Sequence, residues 1–182
     1  HVDRRTLVFC VSTTHADFMS TFFRDNGIAA KAVHSAASSA PRAQSLRDFA
    51  EGRLEMICAV DVFNEGVDVP AINTVLMLRP TASPIVFLQQ IGRGLRVADG
   101  KDALTVIDFI GNHRSFLQRP QALVYLTGRD VSGYESVRLL TSGALELPPG
   151  CSVDIETEAI DMLRRAGENA WTCTRGHSRS IT

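Results

Sequence analysis

Thr6-Leu7-Val8-Phe9-Cys10-Val11 is apolar without alternation, the pattern of a strand buried on both faces rather than one showing every second side chain to water. Such a strand needs helices above and below it, and the next residues supply the first. From Thr14 to Asn26 the apolar positions Phe18, Met19, Phe22 and Phe23 recur at helical spacing, and Gly27 suits the left-handed conformation that closes a helix. Ile28 to Val33 then reads as a second strand. Pro41 fits the first turn of a second helix, whose expected buried face is Ala43, Leu46, Phe49 and Ala50, with Gly52 beyond it. Leu54 to Val60 and Asn73 to Leu78 read as two more strands. Ser83-Pro84 opens a helix expected to run to Arg96, and Asp99-Gly100 turns the chain into a strand from Ala103 to Ile110. Alternation of this kind specifies an α/β fold, a parallel sheet flanked by helices.

Past Gly111 the pattern weakens. Short helices are expected near Arg114 to Leu117 and Tyr134 to Leu140, then a break at Pro148-Pro149-Gly150. An amphipathic helix from Glu156 to Arg165 follows, with Ala159, Ile160 and Leu163 on one side, and a polar tail after Thr172. The expected division is an α/β domain over residues 1–120 and a small helical extension with a frayed tail over 121–182.

The chain has 182 residues, 45% of them hydrophobic and 21% charged, which suits one folded domain with an appendage and excludes disordered, collagen-like and coiled-coil classes. Its formal net charge of -1 excludes a strongly basic surface, so any nucleic-acid binding rests on local contacts. No apolar run reaches the roughly 18 residues that span a bilayer, and the first residues lack the apolar core of a secretory signal, so a cytoplasmic location is expected. Cys10, Cys58, Cys151 and Cys173 show no metal-type spacing and are expected to be free thiols. His15, His34 and His113 are scattered, and no metal site is expected.

Two segments carry chemistry. In Gln89-Gln90-Ile91-Gly92-Arg93-Gly94-Leu95-Arg96 the polar members Gln89, Arg93 and Arg96 lie at i, i+4 and i+7 on one helix face, while Leu88, Ile91 and Leu95 form the opposite stripe. Gly92 and Gly94 weaken the helix by about 1 kcal/mol each, which close approach of a ligand or another domain would explain; two solvated arginines on an amphipathic helix are the plainer alternative. Asp61-Val62-Phe63-Asn64-Glu65-Gly66-Val67-Asp68-Val69-Pro70 follows a buried strand, where open parallel sheets place ligand contacts. Its acidic groups Asp61, Glu65 and Asp68 surround Gly66; ordinary turn chemistry is the alternative.

Taken together these segments resemble known ones. Asp61 to Pro70 resembles helicase motif V, Gln89 to Arg96 resembles motif VI with its QxxGRxxR pattern, and Thr6 to Ser12 resembles motif IV. All three stand in the order of the C-terminal RecA-like domain of superfamily 2 DEAD/DEAH-type helicases, and the strand Leu104 to Arg114 is similar to one in bacterial restriction-type helicases. The resemblance implies a RecA-like P-loop NTPase fold without the P-loop.

The resemblance also implies roles. Arg96 would be the arginine finger toward ATP, Arg93 a second contact to the γ-phosphate, and Gln89 an orienting or nucleotide-sensing group. Gly66, Asp68, Glu65 and Gly92 would line the nucleotide cleft, with Asp68 on the ribose hydroxyls. Ser12, Thr13 and Asp61 would hold nucleic-acid phosphates without reading sequence, although capping a helix is an equal use for Ser12 or Thr13. Val60 departs from the pattern, since many relatives have Thr there.

No Gly-x-x-x-x-Gly-Lys-Ser/Thr loop occurs in the chain. The phosphate loop and the groups that hold Mg with ATP are therefore expected in a separate first half, an N-terminal RecA-like domain of a parent protein, and this chain alone is not expected to hydrolyse ATP. The partners implied are that domain and single- or double-stranded nucleic acid, DNA before RNA, with no membrane. The alternative is a non-catalytic module, derived from a helicase, that binds nucleic acid or a protein partner.

Overall fold

The computed structural model describes residues 4–60, 72–79, 101–109, 118–125, 127–147, 149 and 152–165. They fall into two compact units. The first carries β1 (Thr6–Phe9), α1 (Thr13–Asp25), β2 (Ala30–Val33), α2 (Arg42–Ala50), β3 (Met56–Ala59), β4 (Thr74–Met77) and β5 (Thr105–Asp108).

All neighbouring strands are parallel, in the order β2-β3-β1-β4-β5. β1 sits at the centre and its residues are buried throughout, as its unbroken apolar run predicts. Successive side chains alternate between faces. Val8, Cys10, Cys58, Ala30 and Ala32 join Ala16 and Phe23 of α1 in one buried cluster. The crossover from β1 to β2 runs one way along the sheet and that from β2 to β3 returns, so right-handed connections put α1 and α2 on opposite faces. Each fully buried Leu, Ile or Phe in these layers contributes about 1.5–3 kcal/mol.

Two helix faces differ from expectation. On α1 the buried residues are Ala16, Ser20 and Phe23, with Met19 packed beside them, whereas Phe18 and Phe22 are exposed and stack on each other with ring centroids 6.5 Å apart. Spacing from Ala16 explains this: positions three, four and seven residues on share its face, and positions two and six on do not. On α2 the buried residues are Ser45 and Phe49; Ala43 and Ala50 are exposed and Leu46 is half-buried. Ser45 is tolerated inside because its hydroxyl donates to the Pro41 carbonyl at 2.9 Å.

The sheet is pinned at its amino edge. The Arg5 amide donates to Asn73 Oδ1 at 3.0 Å, and the Asn73 amide donates back to the Arg5 carbonyl at 3.1 Å. The Arg5 side chain is buried against Gly52, which closes α2 with φ +83°. At the far edge β5 is shorter than the expected Ala103 to Ile110 and leaves Val106, Ile107 and the following Phe109 partly open to solvent.

The second unit holds α3 (Gln118–Tyr125), α4 (Gly133–Thr141) and helix α5 over residues 157–165. Ala122, Val124, Val137 and Leu163 are buried hydrophobic residues of this unit, and Ser136 is buried with them. Helix α3, which passes position 120, was not expected from the sequence; the helix expected at Arg114 to Leu117 lies outside the described residues. No helix among the described residues is long and apolar enough to cross a membrane.

Candidate functional site

Open parallel sheets bind ligands beyond the carboxyl ends of their strands, at the point where the winding direction reverses. Here β1 leads toward β2 on one side of itself, while β3 leads to β4 on the other. The carboxyl ends of β1 and β3 form that point, with Phe9 level with Ala59.

β1 passes there into the N-terminus of α1. Ser12 is its N-cap, with φ -150° and ψ 165°, and its Oγ accepts from the His15 amide at 3.2 Å. His15 answers with Nδ1, which accepts from the Val11 amide at 3.3 Å. The reciprocal pair resembles a capping box with imidazole in place of carboxylate. Capping engages an oxygen lone pair and leaves the Ser12 O–H able to donate to an anion. The first helical amides, at Thr13 and Thr14, have no intrahelical acceptors and add the positive end of the helix dipole. Ser12 is exposed and Thr13 half-buried.

Of the residues singled out in the sequence, Ser12 and Thr13 are therefore brought together at this edge. Asp61, Glu65, Gly66, Asp68, Gln89, Gly92, Arg93 and Arg96 lie outside the described residues. Val60 is half-buried and packs against the cluster under α1.

A second feature of this edge escaped the sequence reading. His34 follows β2, its side chain fully buried, and its Nε2 meets Asp17 Oδ1 of α1 at 2.9 Å. The Ala36 amide donates to Nδ1 at 3.2 Å, so the ring proton sits on Nε2. Ser38 Oγ donates to the other carboxylate oxygen of Asp17 at 2.9 Å. The hydrogen bond from His34 holds the Asp17 carboxyl below the usual carboxylate range, with Ser38 and the nearby Arg24 charge adding to it. A histidine placed directly after a buried strand was the available signal; its partner seventeen residues earlier in the chain was not readable.

Beneath the site, Cys10 and Cys58 are both buried and free. The Cys10 sulfur and burial push the Cys58 thiol well above the usual range, so it is an uncharged, unreactive group. Among the described residues no three His, Cys, Asp or Glu side chains converge as metal ligands.

The helicase conserved C-terminal domain matches residues 1–98. The chain is 38% identical over 108 residues to the putative ATP-dependent helicase IRC3 of Saccharomyces cerevisiae, a match covering 59% of this chain and 16% of that protein. It is 30% identical over 103 residues to the ATP-dependent RNA helicase drs1 of Schizosaccharomyces pombe, covering 57% of this chain and 14% of that one. The chain thus spans a small part of the length of these curated relatives. The solved C-terminal domain of the DEAD-box protein Dbp5 shares its fold, with a TM-score of 0.59 over 91% of this chain and 82% of that one at 17% identity. Since the matched domain takes in more than half of its residues, the chain belongs to the helicase conserved C-terminal domain family.

Proposed function

We propose that the chain is the second RecA-like half of an ATP-dependent nucleic-acid helicase or translocase, inactive until a first half holds the nucleotide. Family membership over residues 1–98 is the observation that carries this reading. Arg96 reaches the ATP held by the other half, Arg93 adds a second guanidinium toward the γ-phosphate, and Gln89 orients them; planar forks of this kind neutralise charge on transferring phosphoryl oxygens. Gly66, Glu65, Asp68 and Gly92 line this side of the cleft. ATP supplies the phosphoryl group whose loss lets the two halves part, and the first half holds its Mg. Ser12, Thr13 and Asp61 grip the phosphates of the track, DNA in preference to RNA, and opening and closing of the halves moves it. Residues 121–182 are an accessory helical extension, and the parent protein works in the cytoplasm. The nearness to restriction-type helicases rests on the strand around Asp108 and on the stretch from Leu147 to Val153, which is similar to the start of a C-terminal extension in that branch.

The test is ATP turnover. The 182-residue chain should show none above background, and Arg96→Ala in the parent protein should cut turnover by a factor of about a thousand or more while nucleotide affinity changes less. Turnover by the isolated chain, or an Arg96→Ala parent that hydrolyses ATP normally, overturns the reading.

A further inference from the structure

We propose that the helical unit carries a phosphate-binding pocket of its own: Arg138 of α4, Arg164 of α5 and the Tyr134 hydroxyl take the phosphate of a nucleotide, either free or within a strand. The pocket is built entirely from residues of the second unit and does not depend on the reading above.

A cavity of about 240 Å³ lies between α4 and α5, lined by Tyr134, Val137, Arg138, Thr141, Ser142 and Arg164. Tyr134, Val137, Arg138 and Thr141 stand at i, i+3, i+4 and i+7 of α4, so they share one helix face. Val137 is buried and supplies the apolar part of the lining. Glu135 grips Arg138 side-on, with Nε donating to Oε2 at 2.9 Å and Nη2 to Oε1 at 2.6 Å. That pairing orients the guanidinium and leaves Nη1 without an acceptor among the described residues. The Tyr134 phenol stands near the Arg138 guanidinium, and its hydroxyl makes no hydrogen bond among the described residues. Arg164 makes no hydrogen bond or ion pair among them either, although Asp161 precedes it by one helical turn.

Two guanidinium groups share the cavity and a carboxylate answers only one of them, so a positive charge is left for a ligand. Donors from three side chains on two helices suit an anion whose oxygens point in several directions, as those of a tetrahedral phosphate do. A flat carboxylate is filled by a single arginine fork. The pocket also accepts. Thr141 Oγ1 donates to the Val137 carbonyl at 2.9 Å and Ser142 Oγ to the Leu139 carbonyl at 3.2 Å, so both hydroxyls have spent their protons and offer lone pairs. A ligand that meets both demands carries phosphate oxygens beside hydroxyl or amino hydrogens, and a nucleotide does.

The experiment titrates the isotope-labelled full chain, followed amide by amide in NMR spectra, with adenosine monophosphate, with a short single-stranded oligonucleotide and with polyglutamate. The two nucleotide ligands should shift the amides of residues 134–142 and 164, and polyglutamate should not. Saturation by the oligonucleotide at far lower concentration than the monophosphate identifies a strand as the source; equal concentrations identify a free nucleotide. Arg164→Ala should weaken binding read at these amides at least about tenfold, and should lower the salt slope for the oligonucleotide by about one. Arg164→Lys should recover part of the loss, since an ammonium keeps the charge but not the fork, and Tyr134→Phe should lose less than Arg164→Ala. Unmoved amides at 134–142 and 164 with both nucleotide ligands overturn the proposal, as does an Arg164→Ala chain that binds like wild type. Equal shifts with polyglutamate overturn it too, because the pocket would then take any anion.

Discussion

A Cβ atom at position 52 would lie 2.5 Å from Nη2 of Arg5, so the buried guanidinium occupies the space that only glycine leaves. Gly52 also has φ +83°, while Gly27, at φ +80°, has nothing within 4 Å of the same position. Both Gly→Ala variants carry the left-handed backbone cost of about 1–2 kcal/mol, and only Gly52→Ala must also displace Arg5. Urea unfolding should show Gly52→Ala less stable than Gly27→Ala by at least about 1 kcal/mol; equal losses would mean that Arg5 moves aside freely.

Asp48 of α2 accepts from Lys31 of β2 at 2.8 Å and from Arg53 at 2.9 Å, with Gln44 Nε2 at 2.7 Å. Lys31 first, then Arg53 and Gln44, hold its carboxyl far below the ordinary value. A depressed folded-state value contributes stability above the unfolded carboxylate value of about 3.9 and loses it as pH falls toward the folded one. Asp48→Asn should therefore be less stable than wild type at neutral pH, with the gap closing below about pH 4. A gap that is constant with pH would remove the ion pairs from the explanation.

Ser12 allows cap and ligand roles to be separated. Ser12→Ala should cost about 1 kcal/mol, while Ser12→Asp keeps an N-capping oxygen and adds charge at the favourable end of the helix dipole. The aspartate variant should match wild type in melting temperature yet bind single-stranded nucleic acid more weakly, because its charge faces phosphate. Normal binding by Ser12→Asp would reduce Ser12 to a cap.

Cys10 and Cys58 face each other but stand out of bonding register. Val8 is the partner of Cys58, so Cys10 lies two residues further along a strand about 4.8 Å away, a Cα separation of about 8 Å by that geometry. A disulfide needs less than about 7 Å. Mild oxidation followed by peptide mapping should find no Cys10–Cys58 bridge; recovery of that cross-link would show that β1 and β3 slide.

The strands were legible because burial on both faces leaves an unmistakable mark: Leu7, Val8, Phe9 and Ile57, Cys58, Ala59 are continuous apolar runs with almost no exposure. Helix faces were less so. Phe18 and Phe22 are apolar at helical spacing, yet the stripe that packs uses Ala16 and Ser20, small residues whose burial no hydrophobic pattern announces. At the site, Ser12 was readable as a cap from its type and place. The Asp17–His34 contact was not, since it depends on α1 folding back across β2, a fact of topology rather than of neighbouring residues.

Thr6, Ala30, Met56, Thr74 and Thr105 are joined in register as a row, and so are Phe9, Val33, Ala59, Met77 and Asp108. The five exits therefore open at one height, along a rim about 19 Å long at the usual strand spacing. Adding one residue inside β1 would lift Ser12 off that level by about 3.3 Å and exchange the sides on which Val8 and Phe9 pack. Loops on this rim are free to change in length; the strands beneath them are not.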